Sequence, residues 1–224
     1  MSTQNQNPPN EVLRLRERTP EEEARIAAEW EQREKAERQE RELERRRRWA
    51  ACGIPSKDVR RIAAGELEST PALSATREFE RKRTIVLVLA GPVGCGKTTA
   101  AARWLTQSTS RGTYLEPYPR RFLAIAELAR LNRFNAAAME PVEQAAALVV
   151  DDLGAEFLDD KGGFASLFDA VMDARYRHLL PTVITTNLRS DEFRARYGER
   201  TVDRLREHGQ FVELAGKSLR TSER

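Results

Sequence analysis

The residues best equipped for chemistry form one stretch, Gly91-Pro92-Val93-Gly94-Cys95-Gly96-Lys97-Thr98, between the apolar run Thr84 to Ala90 and the helix-prone Thr99 to Leu105. The spacing G-x-x-x-x-G-K-[ST] between a strand and a helix is that of a phosphate-binding loop. Its glycines let the backbone curl so that successive N–H groups point at phosphate oxygens, and the helix start adds the positive end of its dipole. Lys97 is placed to reach the β- and γ-phosphates of a nucleoside triphosphate, and the Thr98 hydroxyl to hold Mg²⁺. With Thr99 opening the helix, Gly91 to Thr99 is the expected ATP-binding segment. Such a pattern also arises by chance in glycine-containing turns, but the strand before it and the helix after it weigh against that.

A second group is Ala146-Ala147-Leu148-Val149-Val150-Asp151-Asp152-Leu153-Gly154. A wholly apolar run ending in acids suits a buried parallel strand that delivers carboxylates to the carboxyl edge of a sheet, where ligands bind in open α/β folds. Asp151 is expected to hold Mg²⁺ through water. Strict alternation sends Asp152 to the other face, as the general base that orients or deprotonates the attacking water. The plainer reading, two acids capping a strand end, loses weight with the phosphate loop upstream. Thr182 to Asn187 is another buried strand, and the Asn187 amide can bond both a γ-phosphate oxygen and a water, although Asn is also an ordinary turn former. Arg200 and Arg204 stand at i and i+4 on one helix face, where two guanidinia can serve the γ-phosphate of a neighbouring subunit.

These groups require an α/β fold with a central parallel sheet flanked by helices. Further strands are expected near Tyr114, within Arg111 to Tyr118, and at Phe211 to Leu214. An amphipathic helix from Phe122 to Asn135 is credited with Arg120, Arg121, Arg130 and Arg133. Gly163 to Leu180 reads as a helix whose Phe164, Phe168, Val171 and Met172 are core. Residues 1–18 have the composition of a disordered tail. From Thr19, with Pro20 and Glu22 completing a capping box, a helix dense in Glu and Arg runs to Trp49. Its acid-first pairs include Glu29 with Arg33 and Glu37 with Arg41. Ile26, Trp30, Leu43 and Trp49 do not repeat at heptad spacing, so a coiled coil is not supported. Residues 19–52 are therefore a solvated rod or a partner-binding arm, and 53–224 the catalytic domain.

The 224 residues carry 38 Lys and Arg against 35 Asp and Glu, a net charge of +3. That surplus is too small to argue for nucleic-acid binding by itself. Cys52 and Cys95 are the only cysteines, which excludes a disulfide-built secreted scaffold and fits a reduced cytoplasm. No apolar stretch approaches the roughly 18–20 residues of a membrane span.

Taken together, Gly53-Ile54-Pro55, Gly91 to Thr98, Val149 to Gly154, Arg175-Tyr176 before Pro181 to Asn187, Tyr197-Gly198-Glu199-Arg200 with Asp203-Arg204-Leu205, and Gly216-Lys217-Ser218-Leu219-Arg220 resemble the DnaC/IstB-type AAA+ ATPases over about Gly53 to Arg220. The resemblance implies ATP-dependent oligomers acting on single- or double-stranded DNA, with a replicative helicase (DnaC type) or a transposase (IstB type) as partner. It implies a Walker B pair in Asp151 and Asp152, a sensor in Asn187, an arginine finger in Arg204 with Arg200 as companion, and a sensor-2 arginine in Arg220. It also implies a DNA-facing insertion at Phe122 to Asn135 and a reduced form without a full helical lid. The leading expectation is a DnaC-like helicase loader in DNA replication, with an IstB-like transposition helper as the alternative. A small-molecule phosphotransferase would share the loop without needing Asn187 or the arginine pair, and a non-enzymatic adaptor would not need Lys97, Asp151 and Asp152 intact.

Overall fold

The run before the phosphate loop forms β1 (Val86–Ala90), and all of its residues are buried. Alternate side chains leave opposite faces of a strand, so Leu87 and Leu89 join one core cluster while Val86 and Val88 join another. A strand apolar on both faces belongs inside a parallel sheet. In the computed structural model, which describes residues 19–82, 84–107, 120–134, 136–156 and 163–215, β1 pairs in parallel with β4 (Thr182–Thr186) and β5 (Gly209–Glu213). Beyond β4 come β3 (Leu148–Leu153) and β2 (Arg121–Ala124), giving the order β2-β3-β4-β1-β5. Because every pairing is parallel, the carboxyl ends of β1, β3 and β4 meet at one edge.

Helices cover both faces. On one side α2 (Ser56–Ala64), α3 (Pro71–Lys82) and α4 (Lys97–Gln107) supply Val59, Ile62, Phe79 and Trp104 to the first cluster. On the other, α5 (Ile125–Phe134), α6 (Glu140–Glu143), α7 (Gly163–Arg177), α8 (Ser190–Tyr197) and α9 (Glu199–His208) supply Leu128, Val142, Phe168, Phe193 and Leu205 to the second.

The expected helix from Phe122 is corrected. Arg121 to Ala124 is strand, and the helix starts only at Ile125. Phe122 and Leu123 go to opposite clusters, as strand neighbours must. Arg120 and Arg121 are thus not helix residues. Arg120 Nη1 donates to the carbonyls of Leu105 (3.2 Å) and Thr106 (3.4 Å) at the end of α4, where a cation suits the negative end of the dipole. Arg130 is exposed on α5. The strand expected near Tyr114 lies outside the described residues.

Gly53 explains the glycine ahead of the first strand. Its φ is +92°, and a Cβ there would meet the Phe122 carbonyl oxygen at 2.3 Å. The neighbouring Cys52 carbonyl accepts from Phe122 N at 2.7 Å.

The chain divides into two units, one ending at Glu44 and one beginning at Arg45. The first contains most of α1 (Pro20–Ala51), in which no residue is buried. Its start has the expected capping box: Glu22 N donates to Thr19 Oγ1 (3.3 Å) and Thr19 N to Glu22 Oε2 (3.0 Å). Trp30 and Leu43 are exposed. No described helix is long and apolar enough to cross a membrane.

Candidate nucleotide-binding site

The phosphate loop leaves β1 and curls through Gly94 (φ +89°) and Gly96 (φ +88°), a left-handed backbone that only glycine adopts at little cost. Lys97 opens α4 and is itself buried. Its ammonium donates to the carbonyls of Gly91 (2.6 Å) and Pro92 (2.8 Å) and to Asn187 Oδ1 (3.0 Å). These three acceptors are neutral oxygens, the Cys95 sulfur at 3.8 Å is a fourth and weaker one, and ionised phosphate oxygens make stronger, charge-assisted bonds with the same ammonium. The Asn187 amide in turn donates to Asp152 Oδ1 at 2.9 Å. One hydrogen-bonded line therefore runs Lys97, Asn187, Asp152, from the start of α4 past the end of β4 to β3.

At the end of β3 the register slips: Val150 faces Ile184, but Leu153 faces Thr186, so β3 carries one residue more than β4. The extra residue is a bulge at Asp151 and Asp152, and Asp152 has φ +62°. The expectation that the two acids point to opposite faces is corrected by this bulge, which brings both into the wall of one cleft. The Thr185 hydroxyl pins the pair, donating to Asp151 Oδ1 (2.7 Å) and accepting from Asp152 N (2.9 Å).

Burial pushes the Asp151 carboxyl above its ordinary pKa; hydrogen bonds from Thr185 and Thr98 pull it down, and Asp152 and Asp58 push it up again. Thr98 and Asp151 are thus hard oxygen donors in contact, a set that fits Mg²⁺. Among the described residues no three His, Cys, Asp or Glu side chains gather as a metal cage.

The cleft has a volume of about 640 Å³, and its lining includes Lys97, Thr98, Thr99, Asp151, Asp152 and Asn187. It also holds a residue that sequence reasoning missed. Asp58, in the first turn of α2, is 1% exposed and accepts from the Thr99 hydroxyl at 2.7 Å. Its only sequence signal is an acid near a helix start, which is commonplace.

Arg200 and Arg204 do not line the cleft. Both lie on α9 and turn to α7: Arg204 Nη1 pairs with Asp169 at 2.9 Å and its Nη2 with Asp173, while Arg200 Nε stands 3.8 Å from Asp169. Arg204 is largely covered and Arg200 exposed. Arg220 lies outside the described residues.

Two buried networks brace this edge. Glu156, just past the acids, accepts from Gly154 N (2.7 Å), the Tyr197 hydroxyl (2.5 Å) and Arg196 Nε (3.0 Å), tying the end of β3 to α8. Burial first, and then the hydrogen bond to Glu156, raise the Tyr197 pKa. Arg175, 1% exposed, donates to Thr182 Oγ1 and to the carbonyls of Val142, Ala145 and Pro181 at 2.8 to 3.0 Å, joining α7 to the approaches of β3 and β4.

A phosphate loop, paired acids and an amide at the carboxyl edge of a parallel five-stranded sheet define a P-loop NTPase of the AAA+ class. The chain belongs to the family of IstB-like ATP binding proteins, whose model matches residues 25–224. The DnaC helicase loader has a similar structure, 26% identical with a TM-score of 0.50 over 64% of this chain and 88% of that one. DnaI shares the fold at 19% identity and TM-score 0.52, over 67% and 89% of the two chains. So does the replication initiator DnaA bound to AMPPCP and single-stranded DNA, at 17% identity and TM-score 0.50 over 64% of this chain; the match spans 45% of the DnaA chain. No curated protein sequence matches.

Proposed function

We propose that this protein binds and hydrolyses ATP with Mg²⁺ and acts as an oligomer on DNA, loading a replicative helicase in the manner of DnaC. The observation that carries hydrolysis is the hydrogen-bonded line Lys97, Asn187, Asp152. The loop Gly91 to Thr99 cradles the phosphates, and Lys97 exchanges the Gly91 and Pro92 carbonyls for phosphate oxygens while keeping Asn187. Thr98 and Asp151 would hold Mg²⁺, which neutralises phosphate charge. Asp152, the base, takes the proton of the water that attacks the γ-phosphorus as the bond to the bridging oxygen of the leaving ADP breaks. Asn187 joins Lys97 to that base and so links the γ-phosphate to it.

Arg204 acts on the nucleotide of the next subunit, with Arg200 as companion and Arg220 as sensor; neither α9 arginine lining its own cleft supports this. Helix α5, which carries Arg130 and Arg133, is the DNA-facing element. Residues 53–224 form the ATPase domain, and 19–52, behind a tail of 1–18, select the client. A cytoplasmic location fits this work. The 26% identity to a helicase loader favours the DnaC-like role. The family match supports a second reading, an IstB-like helper of a transposase.

Mixing two inactive variants tests the central claim. Lys97→Ala should lose ATP binding and Arg204→Ala should keep it, while the mixture should regain part of the wild-type hydrolysis. No recovery at any ratio would confine Arg204 to its own subunit, and normal ATP binding by Lys97→Ala would end the phosphate-loop assignment.

A further inference from the structure

Asp152 is held in a backbone conformation that is costly for a residue with a Cβ, and such a conformation persists only where the surroundings over-determine it. Thr185 holds one side, through Asp152 N. On the other side lies the segment Leu153 to Glu156, where Ala155 N donates back to the Asp152 carbonyl at 3.1 Å. That segment is fixed by the Glu156 carboxylate, whose side chain is 1% exposed. A buried charge is tolerated only where donors surround it, and these donors come from two places. Gly154 N, two residues past the acid, belongs to the segment itself, while the Tyr197 hydroxyl and Arg196 Nε belong to α8. Arg196 Nη2 also donates to the Glu156 carbonyl at 2.7 Å, so one guanidinium grips both the backbone and the side chain of this residue. The α8 end is firm: the Tyr197 ring packs against Phe168 and Phe193, with centroids 5.2 and 4.8 Å away. Gly154 has little room to shift either. A Cβ on it would stand 2.9 Å from Leu188 Cγ, so its backbone lies against the residue that follows Asn187.

Given Asp152 as the base, as proposed above, we propose that Glu156 is a positioning residue for hydrolysis: by anchoring Gly154 to α8 it holds the Asp152 carboxylate at its 2.9 Å bond to Asn187. Glu156 does not line the cleft, so it acts through Asp152 and not on the nucleotide. Without the carboxylate the segment can relax toward regular strand alternation, which carries the Asp152 side chain away from Asn187. Because α8 passes through Gly198 into α9, the same anchor ties the base to the helix that carries Arg204.

Steady-state ATP hydrolysis and calorimetric ATP binding by the full chain test this. Glu156→Gln keeps the shape but offers the three donors a neutral amide, one end of which is itself a donor. Its kcat should fall about 10- to 100-fold, while KM and Kd stay within about threefold of wild type and the binding stoichiometry is unchanged. In the Asp152→Asn background the same substitution should cost less than about twofold more, because a residue that acts through the base has nothing left to position. If Glu156→Gln does not fold, Tyr197→Phe removes one donor only and should lower kcat about 3- to 10-fold, again with no further loss beside Asp152→Asn. A folded Glu156→Gln with wild-type kcat, a loss that adds in full to that of Asp152→Asn, or a fall in ATP affinity equal to the fall in rate would each overturn the assignment. Wild type that binds ATP without hydrolysing it would instead overturn the hydrolytic reading on which the role of Glu156 rests.

Discussion

The carboxyl edge of the sheet and helix α1 are both rich in charge and use it in opposite ways. At the sheet edge the partners are far apart in sequence: Lys97 meets Asn187, and Asp151 meets Thr185. In α1 the pairs are one helical turn apart, as in Glu37 with Arg41 at 3.2 Å and Arg25 with Glu29 at 3.9 Å, and both are well exposed. Charges placed by tertiary structure are partly desolvated and directional, whereas charges placed by helix geometry alone are screened by water. Density of charge therefore says little about function, while the sequence distance over which a charge finds its partner says much.

The contrast would break first at Asp152. Asp152→Asn should lower ATP hydrolysis by about 10²–10⁴-fold while leaving ATP affinity within about threefold; unchanged turnover in a steady-state assay would move the base elsewhere. Arg175→Met probes a cation held by the fold and not by the helix it stands on. Burial pushes its pKa down, and its removal would strand the Thr182 hydroxyl and several buried carbonyls. A loss of about 2–5 kcal/mol is expected from urea unfolding, and a change below about 1 kcal/mol would show that water satisfies those oxygens. The smallest effect belongs to α1. Glu37→Gln should alter stability by no more than about 0.5 kcal/mol; a larger loss in the same measurement would mean that its charges have long-range partners after all.

The strands of this fold were legible wherever an apolar run ended in a chemically distinctive residue, as β1 does at Gly91, β3 at Asp151 and β4 at Asn187. Residues 121–124 were not, because β2 passes into α5 without a turn and the two apolar patterns merge. The loop and the two acids could be named from spacing, but their common cleft could not, since alternation assumes a regular strand and the bulge breaks it. Nor does any periodicity in α9 point to Asp169 and Asp173, which hold Arg204 from a different helix. Asp58 was hidden for the same reason: what marks it is a buried oxygen, Oδ2, without a donor among the described residues.

The left-handed backbone at Asp152 also limits which acid can stand there. Residues with a Cβ are strained at positive φ, and Asp and Asn tolerate it better than longer or branched side chains because they can bond locally. Glutamate has the same carboxylate on a longer stem and lacks that tolerance. A glycine would fit the backbone with least strain and would remove the carboxylate. The identity of residue 152 is thus chosen twice over, once by the proton that we propose it accepts and once by the shape of the chain that carries it.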